Sequence, residues 1–150
     1  LALCDLDFFK QANDTYGHQF GDRVLKHFAE RLQESVRGED VVARVGGDEF
    51  LLCMECPVDP RPLIDRIHRS LEGDFEGFPL SVSMGVAIAG SDVRDYDELF
   101  RLADVALYHK KRGGRSGYVF YSDLDEEERD LLLEGAHTAL SGIDRDESDQ

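Results

Sequence analysis

Long apolar runs are missing from this 150-residue sequence. No hydrophobic stretch approaches the roughly 20 residues of a membrane-spanning helix, and no signal peptide is visible. Cysteine is scarce as well: the three cysteines, an odd number, argue against a disulfide framework and fit a reducing compartment. Cys53 and Cys56 form a lone CxxC pair, and because no further zinc ligands lie nearby in the sequence, a structural role is favoured over a zinc site.

Basic side chains are also few. Lys and Arg number 17 against 32 Asp and Glu, which leaves a formal net charge of −15. The acidic excess is uneven, since residues 122–150 hold eleven acidic and two basic side chains. Neither part of the chain therefore offers the basic surface that a long nucleic acid requires. If this acidic protein handles phosphates, we expect it to use metal ions and a few placed cations.

The hydrophobic pattern predicts alternating elements in a single domain of ordinary size. In chain order it predicts a buried strand at 1–7, an amphipathic helix at 20–37, a hairpin at about 41–55, a short helix after Pro62, a half-buried strand at 79–89, a helix at 96–111, a strand at 117–121 and helical spacing at 123–140. This order predicts an α/β (α+β) sandwich built on a largely antiparallel sheet.

The segment VARVGGDEFLLC, residues 41–52, combines a strand pattern with an unusual turn. Two apolar runs joined by Gly46 and Gly47 are typical of a β-hairpin, but a structural hairpin does not need two acids, Asp48 and Glu49, directly after the glycines. A solvated turn is the simple alternative for this stretch taken alone. Without Cβ atoms, the two glycines would let a phosphate approach the backbone closely.

Two further acids lie on the first predicted strand. Asp5 and Asp7 are two residues apart and point to one face, which is costly if they are buried without partners. If this strand lies beside the hairpin, we expect Asp5 to approach Asp48 and Glu49. Converging carboxylates repel one another unless a cation is bound, and their hard oxygen atoms favour Mg²⁺ together with substrate phosphates.

Four segments resemble the signature segments of the GGDEF family of diguanylate cyclases: DLDFFKQANDTYGHQFGD, ARVGGDEF, SVSMGVA and ADVALYHKKRGGRSG. The resemblance spans residues 1 to about 121 and keeps the family's order and approximate spacing. It implies the nucleotidyl-cyclase palm, a central, mostly antiparallel five-stranded sheet flanked by helices. It also implies condensation of two GTP into cyclic di-GMP with release of two pyrophosphates, by a homodimer, because one site binds one GTP.

The resemblance also implies which residues form the site. Two Mg²⁺ ions, with Mn²⁺ as the alternative, would be held by Asp5, the Leu6 carbonyl, Asp48 and Glu49, where Glu49 is matched either to the second metal ion or to activation of the attacking 3′-hydroxyl. The residues matched to substrate binding are Phe8, Phe9 and Lys10 in a loop that wraps the phosphates, Asn13 and Asp22 at the guanine, Gly46 and Gly47 in the turn, and Lys111 and Arg115 at the β- and γ-phosphates.

General chemistry supports these roles. In-line displacement at an α-phosphate needs charge neutralised on the attacking and leaving oxygens, which two metal ions provide, and a Lys and an Arg favour the departure of pyrophosphate. A carboxylate at Asp22 can accept from the N1–H and the N2 amino group of guanine, a pair of donors that adenine does not offer.

Simpler roles stay open for several residues. Asp22 could favour a helix N-terminus, His18 could be an ordinary loop histidine, and Asp7 could be a supporting or solvent-facing acid. Lys110 and Arg112 could be ordinary cations at a helix C-terminus.

The tetrapeptide Arg37-Gly38-Glu39-Asp40 has the form RxxD and stands where the family has its product-inhibition site. Arg37 could fork onto a guanine edge or a phosphate of cyclic di-GMP, and Asp40 could accept from the guanine. Arg66, on the next helix, is the candidate for a secondary arginine. The simple alternative is that Arg37 caps the helix predicted to end there.

The sequence opens directly on a strand-like stretch, so we expect it to be a piece of a longer protein. Residues 1–121 are assigned to the cyclase domain without the family's usual N-terminal segment, and 122–150 to an acidic C-terminal helix, tail or linker, which either leads into a phosphodiesterase domain of the EAL type or ends as a plain helix. The expected location is cytoplasmic, with membrane attachment only through other parts of a longer signalling protein. The alternative function is a non-catalytic module that binds GTP or cyclic di-GMP and regulates a neighbouring domain.

Overall fold

The computed structural model describes residues 1–56, 58–90, 93 and 95–130. The strands are β1 (Ala2–Leu6), β2 (Val41–Gly46), β3 (Glu49–Cys53), β4 (Gly73–Phe75), β5 (Phe78–Leu80), β6 (Val82–Val86) and β7 (Gly117–Phe120). The helices are α1 (Phe9–Tyr16), α2 (His18–Ser35), α3 (Arg61–Leu71) and α4 (Tyr96–Arg112), and a short 3₁₀ turn follows at Tyr121–Asp123. Within the described ranges, no helix combines the length and the apolar character that crossing a bilayer requires.

One five-stranded sheet forms the centre of the fold, with the strand order β2-β3-β1-β6-β7. Neighbouring strands are antiparallel except β6 and β7, which are parallel. The predicted fold class, a mostly antiparallel five-stranded sheet flanked by helices, is therefore confirmed. β1 is the central strand and is buried along its whole length. Because β1 pairs with β3, its C-terminal end meets the turn between β2 and β3.

Different helices cover the two faces of the sheet. The even-numbered residues of β1 join a core shared with α2 and α3, whereas Leu3 packs with residues of α4. Gly85 on β6 permits this close packing, because a Cβ atom there would collide with the backbone of Ala103 and Leu107 on α4. Asp5 shares the parity of Leu3 and so faces the α4 side of the sheet.

Two expected elements differ from the structure. The helix expected at 20–37 begins at His18 and ends at Ser35, and the separate helix α1 precedes it, because Gly17 interrupts the helical run with a φ of 92°. The strand expected at 79–89 is two strands: β5 pairs with β4 in a separate two-stranded sheet, whereas β6 pairs with β1 and β7. A period-two pattern identifies a strand but not its partner, so this division was not visible in the sequence.

The described chain continues past the last strand into a helical turn. Leu124 is buried and packs against α4, and residues 126–130 are helical. The backbone N–H of Asp125 donates to the Glu128 carboxylate at 3.1 Å, and the backbone N–H of Glu128 donates to the Asp125 carboxylate at 2.8 Å. This reciprocal arrangement is a capping box that begins a helix. The remainder of the helix expected at 123–140 lies outside the described residues.

Candidate functional site

The C-terminal end of β1 meets the glycine turn between β2 and β3. Asp5 lies directly opposite Glu49 in the antiparallel register. The backbone N–H of Leu6 donates to the carbonyl oxygen of Asp48 at 3.3 Å. Strand pairing therefore brings the acids of two distant sequence segments to one edge of the sheet, as the sequence led us to expect.

The Asp5 carboxylate is buried, with 7% of the residue exposed. Burial, followed by the neighbouring Asp48 carboxylate, raises the pKa of Asp5 to about 6, and Lys111 acts in the opposite direction. Burial also raises the pKa of Glu49, and the charges of Asp104 and Asp5 add to that shift. When these carboxylates are ionised, they concentrate negative charge at one edge of the sheet, which a nearby cation would stabilise.

Lys111 supplies one such cation. Its ammonium group, near the end of α4, forms an ion pair with Asp5 Oδ2. The second oxygen, Asp5 Oδ1, is buried and has no hydrogen-bond partner among the described residues. A buried carboxylate oxygen without a donor, beside a second carboxylate at Asp48, suits a hard divalent cation, so these residues fit the expected Mg²⁺.

The acidic side chains are not yet arranged as a complete metal cage. In the part of the chain that the structure describes, no three His, Cys, Asp or Glu side chains surround a common point that would hold a metal ion. The ammonium group of Lys111, paired with Asp5, offsets part of the negative charge at this edge of the sheet. A bound cation would therefore require Asp48 and Glu49 to adjust their side chains toward Asp5.

The glycine turn is open on its outer side. Apart from the adjacent residues of the chain, no described atom lies within 4 Å of the position that a Cβ atom would take at Gly46 or Gly47, so packing does not dictate glycine at either position. Gly47 has a φ of 33°, which favours glycine, and the register of β2 shifts between Arg44 and Gly46. Arg44 closes the turn, because its Nε donates to the carbonyl oxygen of Gly47 at 2.8 Å. The exposed backbone leaves room for a phosphate.

The residues expected around the phosphates lie on two facing segments. Phe8 has a left-handed φ of 63° between β1 and α1. Its half-exposed ring stacks with the guanidinium of Arg115, whose Cζ is 5.6 Å from the ring centroid. Phe9 and Lys10 do not extend this loop but form the first turn of α1, where Lys10 is exposed. Only Phe8 therefore occupies the loop that the resemblance assigned to all three residues.

Asn13 and Asp22, the residues expected at the guanine, come from neighbouring helices. The Asn13 side chain lies against Gly21, where a Cβ atom would collide with the amide oxygen of Asn13. The glycine therefore permits the approach of α1 to α2 directly beside Asp22. Asp22 is exposed and lies beyond the first turn of α2, which begins at His18. A role for Asp22 at the helix N-terminus is wrong for this reason, since the dipole effect falls off within the first turn.

Asp7 does not face the solvent, since only 1% of the residue is exposed. Its carboxylate accepts hydrogen bonds from the hydroxyls of Ser81 and Ser83, each at 2.7 Å, and from the backbone N–H of Ser116 at 3.1 Å. The Nη1 atom of Arg115 is 3.6 Å from the same carboxylate. The solvent-facing role left open for Asp7 is therefore wrong, and the role of a supporting acid stays a prediction.

Sequence reasoning missed Asp104, which lies on α4. Burial raises the pKa of Asp104, and the charge of Lys111 lowers it. The charge of Asp104 in turn raises the pKa of Glu49, which places this acid at the same edge of the sheet. The sequence signal that could have identified it is an acid flanked directly by two apolar residues, Ala103 and Val105. Both neighbours are buried in the structure.

The three residues expected at the inhibitory site also come together. Arg37, Asp40 and Arg66 line one cavity of about 120 Å³, and Arg37 and Arg66 also line a cavity of about 450 Å³ between the end of α2 and α3. The backbone N–H of Arg37 donates to the Asp40 carboxylate at 2.9 Å, which fixes the turn between them. α2 ends at Ser35 and Val36 is extended. The alternative role, in which Arg37 caps the end of this helix, is therefore wrong.

The chain is similar in sequence to known diguanylate cyclases. The profile of the family described as "Diguanylate cyclase, GGDEF domain" matches residues 1–117. The chain is 35% identical to the bifunctional diguanylate cyclase/cyclic di-GMP phosphodiesterase MucR of Pseudomonas aeruginosa, over 97% of this chain and 22% of that protein. It is 37% identical to the diguanylate cyclase DgcS of Shewanella oneidensis, over 79% of this chain and 40% of that protein. The chain thus spans less than half the length of either relative.

The fold is similar to that of a solved GGDEF domain. The structure of the GGDEF domain of DgcB from Caulobacter crescentus, in complex with c-di-GMP, matches with a TM-score of 0.71 and 29% sequence identity. The match covers 81% of this chain and 77% of that chain. The sheet and helices described above therefore have the arrangement found in that domain.

Proposed function

The chain belongs to the GGDEF diguanylate cyclase family, and from this premise we propose that it condenses two GTP into cyclic di-GMP with release of two pyrophosphates. The observation that carries the proposal is the placement of Asp5 opposite Glu49 and beside Asp48, with a buried oxygen of Asp5 left without a donor among the described residues. The open turn at Gly46 and Gly47 lies at the same edge, where a triphosphate could approach.

In the proposed reaction, the 3′-oxygen of one GTP attacks the α-phosphorus of the other, the bond to the bridging oxygen of the β-phosphate breaks, and pyrophosphate leaves. The same displacement in the opposite direction then closes the ring and releases the second pyrophosphate. Glu49 has one of two roles, as the general base that accepts the proton of the 3′-hydroxyl or as a ligand of the second metal ion. Asp5, the Leu6 carbonyl, Asp48 and Glu49 would hold two Mg²⁺ ions, or Mn²⁺, which when bound neutralise charge on the attacking and leaving oxygens. The active form is a homodimer, because each site holds one GTP.

The remaining site residues bind and orient GTP. Lys111 exchanges its ion pair with Asp5 for the β- and γ-phosphates, beside Arg115, because the triphosphate offers more negative charge than one carboxylate. Phe8 lies along the phosphates, and Phe9 and Lys10 follow it in the first turn of α1. Asn13 and Asp22 contact the guanine, and Asp22 accepts from its two adjacent donors. These roles are supported by the placement of the residues on facing segments of the fold.

A second part of the proposal concerns product inhibition. Cyclic di-GMP binds at the cavity lined by Arg37, Asp40 and Arg66, whose guanidinium and carboxylate groups can form charge-assisted hydrogen bonds with its phosphates and guanines. Binding there is inhibitory if it holds two domains in an arrangement in which their GTP sites cannot meet.

The organisation of the longer protein is proposed from the same premise. Residues 1–121 form the cyclase domain, and residues 122–150 connect it to a further domain or end as a helix. The similarity to MucR, a bifunctional protein, covers 97% of this chain and so includes most of this segment, which supports the connection. A cytoplasmic location follows from GTP as substrate.

Product analysis tests the proposed activity. The chain is incubated with GTP and Mg²⁺, and the products are separated by chromatography and identified by mass. We expect cyclic di-GMP from the wild type and from the control Asp123→Asn, which changes an exposed acid paired with Arg61, but none from Asp48→Asn, although that variant stays folded. If the wild type binds GTP without forming product, the alternative function of a non-catalytic binding module holds instead. Equal production by Asp48→Asn would contradict the role of the carboxylates.

A further inference from the structure

The loop between α4 and β7 has an unusual backbone. Gly114, Arg115, Ser116 and Gly117 have positive φ values of 117°, 59°, 48° and 134°. For Arg115 and Ser116, which carry a Cβ atom, this conformation costs free energy. Such a conformation persists only where the surrounding structure holds it, so the contacts of this loop identify the residues that shape it.

Asp7 makes those contacts from the end of β1. Its Oδ2 atom accepts from the backbone N–H of Ser116 at 3.1 Å, and its Oδ1 atom lies 3.6 Å from Nη1 of Arg115. The carboxylate is itself held by the hydroxyls of Ser81 and Ser83, which donate to Oδ2 and Oδ1 respectively. The Ser83 hydroxyl also accepts from the Ser116 N–H at 3.2 Å. Both oxygens of Asp7 thus accept hydrogen bonds from the protein. Asp5, by contrast, has one oxygen without a partner among the described residues, so Asp5 suits a metal ion better than Asp7 does.

The same corner of the fold orients the Arg115 side chain. Phe8, the residue that follows Asp7, stacks against the guanidinium, and the backbone N–H of Arg115 donates to the carbonyl oxygen of Lys110 at 3.0 Å. The Arg115 side chain nevertheless remains 41% exposed. Backbone and guanidinium are therefore both fixed, while donor atoms stay accessible to a ligand.

We propose that Asp7 is a positioning residue for phosphate binding: by anchoring Ser116 and attracting Arg115, it holds the Arg115 guanidinium where it can reach the β- and γ-phosphates of GTP. The identity of the ligand rests on the proposed function, whereas the contact itself does not. Asn at position 7 has nearly the same shape but only one acceptor oxygen. Its amide group would face donors on one side, so the loop would lose hydrogen bonds there.

Amide hydrogen exchange tests the contact without any ligand. In Asp7→Asn we expect the Ser116 N–H to exchange about tenfold faster than in the wild type, because it loses a charged acceptor. The control Asp123→Asn removes an exposed acid that pairs with Arg61 and should leave Ser116 unchanged. Unchanged exchange of Ser116 in Asp7→Asn would overturn the proposal.

A double-mutant cycle tests the consequence for binding. The probe is 3′-deoxy-GTP, which has no 3′-hydroxyl and so binds without reacting, and its affinity is measured by calorimetry in the presence of Mg²⁺. We expect Asp7→Asn and Arg115→Ala each to weaken binding by about tenfold, because each disturbs a charge-assisted contact. The double variant should be no weaker than Arg115→Ala alone, since Asp7 acts through Arg115. Additive losses would show a general structural effect and would overturn the proposal.

The possible failures are distinguishable. A wild type that binds the probe but makes no cyclic di-GMP refutes the proposed activity and leaves the role of Asp7 intact. Additive losses in an active enzyme refute only the role of Asp7, and absence of probe binding to the wild type overturns both. If Asp7→Asn does not fold, Ser83→Ala takes its place in both tests, because it removes one donor to Asp7 and one acceptor of the Ser116 N–H.

Discussion

The ammonium group of Lys111, near the end of α4, forms an ion pair with the carboxylate of Asp5 at the end of β1. One of these residues is a proposed phosphate contact and the other a proposed metal ligand. Leaving a buried carboxylate without a partner costs free energy, so Lys111 stabilises the protein before any ligand binds. The contribution of this ion pair to the unfolding free energy should therefore change when a metal ion binds Asp5 or a phosphate binds Lys111.

Lys111→Met tests this coupling. In EDTA we expect the variant to lose about 1–3 kcal/mol of unfolding free energy, because Asp5 loses its cation while both side chains are only partly accessible to water. Mg²⁺ should then stabilise the variant more than the wild type, since the metal replaces the missing charge. Thermal unfolding with and without Mg²⁺ measures both effects. Equal stabilisation of the two proteins by Mg²⁺ would contradict a metal site at Asp5.

The raised pKa of Asp5 predicts a pH dependence of stability. Because its pKa is about 6 in the folded protein and 3.8 ordinarily, the folded state binds the proton more tightly than the unfolded state does. The contribution of Asp5 to the unfolding free energy is therefore fully present below pH 3.8 and is lost as the pH rises through about 6. At about 1.4 kcal/mol per pKa unit, the loss is on the order of 2–3 kcal/mol.

Urea unfolding of the wild type and Asp5→Asn, in EDTA at a series of pH values, measures this contribution. The neutral Asn removes the titration of residue 5 while leaving the other acids in place. We expect the stability of the wild type relative to the variant to decrease between about pH 4 and pH 7. A difference that does not change with pH would show that Asp5 titrates at the same pH in the folded and unfolded states.

Asp22→Ser tests the choice of base. The wild-type carboxylate can accept from two adjacent donors of guanine, and a site built for two donors discriminates against a base that lacks them. We expect the variant to bind GTP more weakly and to lose at least about tenfold of the preference for GTP over ATP. Titration of both nucleotides against both proteins measures the preference. Asp14→Ser is the matched control, since Asp14 is also an exposed acid and lies on the neighbouring helix α1. If the wild type and Asp22→Ser prefer GTP over ATP equally, Asp22 does not select the base.

Arg37→Ala tests product inhibition. We expect the variant to bind cyclic di-GMP at least about tenfold more weakly, because it loses a charge-assisted contact, while the initial rate of turnover stays nearly intact and product accumulates further. Calorimetry with cyclic di-GMP and a progress curve measure the two effects. Arg69→Ala is the control, because Arg69 pairs with Asp65 on α3 and does not line the cavity of Arg37. Equal affinity of wild type and Arg37→Ala for cyclic di-GMP would leave Arg37 without an inhibitory role.

Elements with a strong local pattern could be predicted closely. The helix expected at 96–111 extends over Tyr96–Arg112, because an N-cap at Asp95 and basic residues in its last turn mark both ends in the sequence. The hairpin around Gly46 and Gly47 is also present, since its glycines separate two apolar runs. Elements without such signals were missed: β4 has three residues, and its pairing with β5 depends on a neighbour rather than on its own pattern.

The sequence by itself determined the family, the strand and turn that carry Asp5, Asp48 and Glu49, and the helix that carries Lys111, because spacing and residue type along the chain encode these features locally. Only the tertiary structure decided the contacts of Lys111 and Asp7. Lys111 contacts Asp5, and Asp7 contacts Ser116, across more than a hundred residues of chain. Such contacts depend on sheet order, register and the packing of α4 on β6, which are set by the burial of the whole core rather than by any short segment.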